Sequence, residues 1–247
     1  CSPALFYAMD IVPLPMEFLS ALGCLVWKRG MSEYLDFATQ AGLPDTACSG
    51  QRGPLGAYMA NLGEAADFVV CDSAGNCDSN ATAFAFASSY MDKPMYMLSY
   101  PSVIGTDKSN QYHVDDYRNL IRFLEEQTGK KLDWDRLKET LEKCDYQDEL
   151  TLELDDMHLM KPTPFSPIFT LGIYSGRLVF GGHDQNTQLL ESMISEGNER
   201  IKNGTSGLKA GKEKVRAFIC YIDHYTTDAK FWNWFYERGV AHMGGGT

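Results

Sequence analysis

The sequence has 247 residues, of which 33 are acidic and 22 are basic, so its formal net charge is 22 − 33 = −11. This balance argues against a nucleic-acid binder, which needs clustered Lys and Arg to contact phosphates, and against an anionic membrane surface. Hydrophobic residues make up 44% of the chain, a share too high for wholesale disorder. No apolar run approaches the roughly 18 residues of a membrane span, so we expect no membrane association.

Strand and helix patterns alternate along the first hundred residues. A helical pattern over residues 55–62, with Pro54 suited to its first turn, is followed by the apolar run Phe68–Cys71, which predicts a buried strand. Residues 81–90 predict a buried helix, and residues 94–98 predict the next strand. Strand, helix and strand at this spacing indicate a βαβ unit and hence a parallel sheet.

The middle of the chain is predicted to be helical. Apolar residues recur at helical intervals between Val114 and Leu124, and Gly129 is a suitable helix end. A second helix is predicted to start near Asp133, with an apolar face formed by Trp134, Leu137, Leu141 and Cys144. Three prolines, Pro162, Pro164 and Pro167, then disfavour a helix and mark a candidate domain boundary.

The alternation resumes near the end of the sequence. The pattern predicts a helical face over residues 189–201, a strand over residues 217–222, a helix over residues 228–238 that ends at Gly239, and a further strand over residues 240–243.

We therefore predict an α/β fold with two flavodoxin- or Rossmann-like parallel-sheet domains joined by a helical segment. Residues 1–106 form the N-terminal α/β domain, residues 107–162 form the helical connecting segment, and residues 163–247 form the start of a second α/β domain. Because the sequence opens on Cys1-Ser2-Pro3 and stops on a glycine run, we expect this second domain to be truncated.

Several familiar catalytic patterns are absent from the sequence. The nearest match to a phosphate-binding loop, residues 207–212, has too short a glycine spacing, and Glu213 stands where a hydroxyl is needed. No GxGxxG follows a predicted strand, no GxSxG serine elbow is present, and the five histidines show no zinc-helix spacing. Asp223 and His224 follow a strong strand, where a cap and a surface residue are their simplest roles.

The cysteines are the most informative residues for chemistry. Seven in a chain of this length favour reduced thiols in the cytoplasm over a disulfide scaffold. Cys48 and Cys77 each stand just before a predicted helix, and the partial positive charge of a helix N-terminus favours a metal-bound thiolate. Soft thiolates without histidine partners favour an iron–sulfur cluster over zinc. A packed core thiol is the alternative for any single cysteine, and we predict that role for Cys24, Cys71, Cys144 and Cys220.

Three short segments occur together in a characteristic order. They are Pro3–Pro13, Cys48-Ser49 followed by Leu55-Gly56, and Asp67–Val70 leading to Asn76-Cys77-Asp78. Together they resemble the iron–sulfur subunits of the 2-hydroxyacyl-CoA dehydratase and benzoyl-CoA reductase superfamily. Residues 215–239 fit the second domain of that family, so the resemblance spans most of the chain. The segment Tyr7–Ile11 leans toward the benzoyl-CoA reductase subunits.

The resemblance implies a cofactor and its ligands. It implies one 4Fe-4S cluster per subunit, bound by three cysteines and open at the fourth iron. Cys48 and Cys77 match the first two ligands, and the third is expected beyond the end of this sequence, with Cys220 a weak substitute. Ser49 and Glu17 are candidates for substrate contact, although a cap or surface role is simpler for each.

The resemblance also implies a reaction and partners. The reaction is one-electron reduction of an acyl-CoA thioester, leading either to 2-hydroxyacyl-CoA dehydration or to benzoyl-CoA ring reduction, with the cluster as Lewis acid and reductant. The partners are a homologous second subunit, forming a heterodimer, and an ATP-hydrolysing iron–sulfur activator. Two alternatives stay open: a non-catalytic electron-relay subunit of the same complex, and a cluster-free α/β protein that binds a small ligand.

Overall fold

A computed structural model describes residues 3–16, 31–62, 66–73, 77–209, 211–219 and 229–245. The chain divides into two compact units, the first comprising residues 14–132 and the second comprising residues 2–13 and 133–247. Within the described residues, each unit combines helices with a two-stranded parallel sheet. The three-part division at residues 106 and 162 stays a prediction.

The elements follow one another in this order. Helix α1 (Ala4–Ala8) belongs to the second unit. The first unit contains α2 (Ser32–Ala41), α3 (Ser49–Ala57), a π-helical turn (Tyr58–Leu62), β1 (Val69–Asp72), α4 (Asp78–Met91), β2 (Met95–Leu98) and α5 (Asp107–Thr128). The second unit continues with α6 (Trp134–His158), α7 (Phe169–Phe180), α8 (Asp184–Lys202), β3 (Val215–Ile219), α9 (Ala229–Arg238) and β4 (Val240–Gly245).

The first unit contains the predicted βαβ arrangement. Strands β1 and β2 pair in parallel, with Val69 opposite Met95 and Asp72 opposite Leu98, and α4 makes the connection between them. The backbone N–H of Ser73 donates to the carbonyl of Leu98 at 2.8 Å, which extends the pairing past the end of β1. The predicted parallel pairing is confirmed here.

Side-chain caps explain where the two long helices begin. Thr106 precedes α5 and forms a reciprocal capping box with Ser109, and Gly129 ends the helix with a left-handed φ of 68°. Asp133 caps α6 by accepting from the backbone N–H groups of Asp135 and Arg136. The predicted end at Gly129 and the predicted start near Asp133 are confirmed.

Helix α3 begins earlier than predicted. Its first residue is Ser49, so Pro54 lies inside the helix and not in its first turn. A proline there removes one helical hydrogen bond. Pro54 and Leu55 are buried, and Leu55 joins the apolar core of the first unit, which compensates for that loss. The buried members of this core are Met16, Ala38, Leu43, Leu55, Tyr58, Met59, Val69, Ala83 and Ala87.

The predicted apolar face of α6 is wrong for two residues. The side chains of Trp134 and Leu141 are 64% and 44% exposed. The buried apolar residues of α6 lie in its C-terminal half, because α6 packs there against α7 and α8. That core consists of Leu150, Leu154, Met157, Phe165, Phe169 and Leu190.

The end of the second unit repeats a strand–helix–strand arrangement. Strands β3 and β4 pair in parallel, with Val215 opposite Val240, and α9 lies between them in sequence. Helix α9 ends at Gly239, whose φ of 76° suits glycine. The fold is thus a mixture of helices and small parallel sheets, which is compatible with an α/β class, and two complete Rossmann-like domains stay a prediction. Among the described helices, none is long and apolar enough to cross a membrane.

Candidate functional site

Cys48 and Cys77 each stand at the start of a helix in the first unit. Cys48 is the N-cap residue of α3, and Cys77 is the N-cap residue of α4. Both thiols are free and exposed. The unpaired N–H groups of the first turn of a helix give that end a partial positive charge, which favours an anionic sulfur. The predicted placement of both cysteines ahead of helices is confirmed.

A direct hydrogen bond joins the starts of these two helices. The backbone N–H of Cys48 donates to the Oγ of Ser79 at 3.3 Å, and Ser79 lies two residues after Cys77. The two cysteines are 77 − 48 = 29 residues apart in sequence, so only the tertiary fold brings these segments together. The sequence contained no signal for this contact.

Close backbone packing fixes the position of α3. A Cβ added at Gly56 would meet the carbonyl oxygen of Tyr34 in α2 at 2.0 Å, so α2 and α3 approach each other at a distance that only glycine permits. Leu55 of α3 and Ala83 and Ala87 of α4 pack in the same core. One core therefore positions both of the helices that begin at the exposed thiols.

The other described cysteines are packed thiols. Cys71 is buried in β1, and burial, followed by the charge of Asp72, raises the pKa of its thiol to about 12. Cys144 is half-buried on α6, and burial raises the pKa of its thiol as well. Both thiols therefore stay protonated near neutral pH. Cys24 and Cys220, also predicted to be core thiols, lie outside the described residues.

The remaining predicted site residues are only partly placed. Ser49 is exposed and forms the first residue of α3, directly after Cys48. Glu17 lies outside the described residues, as do Asn76 and the pair Asp223 and His224. The substrate-contact roles of Ser49 and Glu17 stay predictions.

The described residues suit an iron–sulfur cluster in their donor chemistry. They contain no group of three His, Cys, Asp or Glu side chains that could hold a metal ion. They do provide two exposed thiols at the starts of two helices that are tied together. Soft thiolate sulfur is the usual ligand of iron–sulfur clusters.

A second group of polar residues, which the sequence patterns did not reveal, lies at the same sheet. Asp72 ends β1, Tyr100 follows β2, and His113 and Tyr117 lie one turn apart on α5. The ring centroids of Tyr100 and His113 are 5.0 Å apart, as are those of His113 and Tyr117. We call these four residues the sheet-edge group. Asp72 ends one strand and Tyr100 closely follows the other, and polar residues at such positions are a sequence signal for a ligand site in a parallel sheet.

The segment Pro3–Pro13 has a packing role in the second unit. It forms the short helix α1, and the hydroxyl of Tyr7 donates to the carbonyl of Val179 at 2.5 Å. The Tyr7 ring also lies 5.5 Å from the ring of His183, centroid to centroid. These contacts account for Tyr7 without a substrate.

A comparison with protein families gives a match over nearly the whole chain. A family model described as 2-hydroxyglutaryl-CoA dehydratase, D-component, matches residues 2–245. No curated protein is similar enough to the chain to count as a match.

Proposed function

Because the chain belongs to the 2-hydroxyglutaryl-CoA dehydratase D-component family, we propose that it is the 4Fe-4S subunit of an acyl-CoA dehydratase. This family is a component of 2-hydroxyacyl-CoA dehydratase enzymes, so the chain is a dehydratase-type component of a multi-subunit complex.

The proposed ligands are Cys48 and Cys77. The observation that supports this assignment best is the hydrogen bond from the Cys48 N–H to Ser79 Oγ, which joins two helix starts that each present an exposed thiol. Cys71 is buried within β1, whereas the thiols of Cys48 and Cys77 are exposed at helix starts, so we assign the ligands to the latter two. The bound cluster would supply electron transfer and a Lewis-acidic iron to the thioester carbonyl.

The protein would contribute position and charge to this site. Cys48 and Cys77 would each present sulfur at the N-terminus of a helix, the end at which a helix favours negative charge. The tie between Cys48 and Ser79 holds the two helix starts together without using either thiol. The exposed hydroxyl of Ser49, next to Cys48, is the described polar group that we propose for substrate contact.

The proposed substrate is a 2-hydroxyacyl-CoA, which loses water from its acyl chain to give an enoyl-CoA. The proposed partners are a homologous second subunit, as a heterodimer, and an ATP-hydrolysing iron–sulfur protein that delivers the electron. Two observations support this assignment. One is the family match, and the other is the resemblance of the N-terminal segment and of the segments around Cys48 and Cys77 to the same superfamily. The cytoplasm is the proposed location.

Anaerobic study of the natural protein with its partner subunit and activator tests this function. We expect iron and acid-labile sulfide with this subunit, ATP-dependent dehydration of 2-hydroxyglutaryl-CoA, and a change in this subunit's cluster spectrum when the acyl-CoA is added without activator. A cluster spectrum that acyl-CoA leaves unchanged would contradict the catalytic role and favour electron relay. A colourless complex without iron would contradict the cluster assignment itself.

A further inference from the structure

The sheet-edge group surrounds one partly accessible phenol. Tyr100 is 36% exposed, whereas Tyr117 and His113 are half-buried beside it. The ring of His113 lies 5.0 Å from each tyrosine ring, centroid to centroid, so it packs against both. Tyr100 is thus the member of the three whose side chain is most open to solvent, while its ring packs against His113.

Charged and polar neighbours surround the Tyr100 hydroxyl. Burial, followed by the charges of Tyr117 and Asp72 and by hydrogen bonds to both, raises the pKa of Tyr100 well above the ordinary tyrosine value. Burial raises the pKa of Tyr117 in the same way, while its hydrogen bond to Tyr100 acts in the opposite direction. Tyr100 is therefore a protonated hydroxyl near neutral pH, and its phenolate, once formed, would be a strong base.

The sheet-edge group lies at the carboxyl ends of β1 and β2. Asp72 pairs with Leu98 at the carboxyl ends of β1 and β2, and Ser73 extends that pairing. Tyr100 lies two residues after the end of β2. Ligands of open parallel sheets bind outside the carboxyl ends of the strands. Cys77 comes after β1 in the sequence and Tyr100 comes after β2, so each follows the carboxyl end of a strand of this sheet.

We propose that Tyr100 is the proton carrier of the dehydration, a role that rests on the proposed function. The hydroxide that leaves C2 of the acyl chain takes the Tyr100 proton and becomes water. The Tyr100 phenolate then takes a proton from C3 and regains its hydroxyl. The C2–O and C3–H bonds break, the C2–C3 double bond forms and water leaves. The single electron comes from the external iron–sulfur donor and is returned at the end, so the acyl group undergoes no net oxidation.

A strongly basic phenolate suits both proton transfers, the protonation of the leaving hydroxide and the removal of the C3 proton. Hydroxide is a far stronger base than the phenolate, so protonation of the leaving group by Tyr100 is favourable. The C3 proton is weakly acidic, so its removal requires a base stronger than a carboxylate or an imidazole. Asp72, Tyr117 and His113 would act as positioning residues, because the first two hydrogen-bond the Tyr100 hydroxyl and the third packs against its ring.

The test compares Tyr100→Phe with Tyr90→Phe in the natural complex. The first variant removes the hydroxyl but keeps the ring against His113, and the second removes an exposed hydroxyl from α4. For Tyr100→Phe we expect wild-type iron content and thermal unfolding. We also expect turnover of 2-hydroxyglutaryl-CoA to fall roughly 10²–10⁴-fold, the usual contribution of a general acid–base group. A substrate deuterated at C3 should show a larger isotope effect with this variant than with wild type.

A second readout needs no turnover. Ultraviolet pH titration of wild type minus Tyr100→Phe should show one phenolate that forms only above the ordinary tyrosine pKa of about 10. Turnover and isotope effects equal to those of Tyr90→Phe, or a difference phenolate at the ordinary pKa, would overturn the Tyr100 role while leaving the proposed function intact. A wild-type complex that contains iron but dehydrates no 2-hydroxyacyl-CoA would instead overturn the proposed function, and the substrate role of Tyr100 with it.

Discussion

The backbone N–H of Cys48 donates to the Oγ of Ser79 at 3.3 Å, and this contact joins the starts of α3 and α4. Each of these helices follows an exposed cysteine. The contact therefore holds together two helix starts, each with an exposed thiol, that are far apart in sequence. The predictions for the site follow from this contact.

Removal of the Ser79 hydroxyl should weaken iron retention clearly and lower the stability of the fold only slightly. We expect Ser79→Ala to reduce the free energy of unfolding by roughly 0.5–1.5 kcal/mol, the value of one hydrogen bond, and to weaken iron retention during exposure to a chelator. Ser89→Ala is the matched control, since Ser89 is exposed on the same helix. Equal iron loss in both variants would show that the Ser79 contact does not support the site.

A methyl group at Gly56 should disturb the helix that begins after Cys48. The added Cβ would lie 2.0 Å from the carbonyl oxygen of Tyr34, so α2 and α3 must separate. We expect Gly56→Ala to lower the thermal unfolding temperature and the iron content together. Gly172→Ala is the control, because a Cβ at Gly172 in α7 meets nothing within 4 Å and should leave stability unchanged or slightly raise it. Unchanged stability in Gly56→Ala would contradict the close approach of the two helices.

A buried amide organises the second unit independently of the site. The Gln147 side chain donates to the His183 carbonyl at 3.0 Å and to Thr187 Oγ1 at 2.9 Å, and it accepts from Gly182 N–H and Asn186 Nδ2, each at 2.9 Å. Gln147→Leu would leave several of these partners buried and unpaired. We expect a loss of about 3 kcal/mol or more, measured by denaturant unfolding, since each unsatisfied buried group costs about 1–3 kcal/mol.

Gln188→Leu provides the comparison for that measurement. Gln188 is exposed on α8, so its replacement should change the free energy of unfolding by less than about 0.5 kcal/mol. Similar losses in the two variants would mean that the Gln147 amide does not have the structural role described here. Because Gln147 lies in the second unit, neither variant should change which cysteines bind iron.

Stability should fall in mild acid because of His158. Its ring is buried and stacks on Phe169, with centroids 5.2 Å apart, and burial is the main cause that lowers its pKa below the ordinary value of 6.5. The unfolded chain therefore binds a proton that the folded chain excludes, so stability is present above pH 6.5 and is lost as the pH falls below it. We expect this loss to approach at most about 1.4 kcal/mol per pH unit.

The check is the pH dependence of chemical unfolding in wild type and in His158→Gln. The glutamine side chain does not titrate, so the variant should lose less stability than wild type between about pH 6.5 and pH 5. Parallel curves for the two proteins would contradict the assignment to His158. A shallower curve in the variant would support it even if the His158→Gln substitution lowers stability at every pH.

Local signals were sufficient for much of the fold. Gly129 and Asp133 are a helix end and a cap whose effects act over one helical turn, so the end of α5 and the start of α6 could be predicted from sequence. The parallel pairing of β1 with β2 also followed from element order. The faces of α6 could not be assigned in this way, because Trp134 and Leu141 share an apolar stripe yet remain exposed.

The site depends on contacts that no local pattern contains. Sequence placed Cys48 and Cys77 before helices, but the hydrogen bond through Ser79 joins segments that are distant along the chain. The sheet-edge group was missed for the same reason, since Asp72, Tyr100 and His113 meet only after the sheet has formed. A proline rule also misplaced the start of α3, because core burial of Pro54 outweighs one missing hydrogen bond.

Iron content of cysteine variants tests the central claim most directly. The measurement is iron and acid-labile sulfide per chain after anaerobic purification, in wild type, in the double variant Cys48→Ser, Cys77→Ser, and in Cys144→Ser as the packed-thiol control. We predict that the double variant loses its iron and that Cys144→Ser keeps the wild-type amount, with both still folded by circular dichroism. Full iron content in the folded double variant would contradict the assignment of Cys48 and Cys77 as cluster ligands.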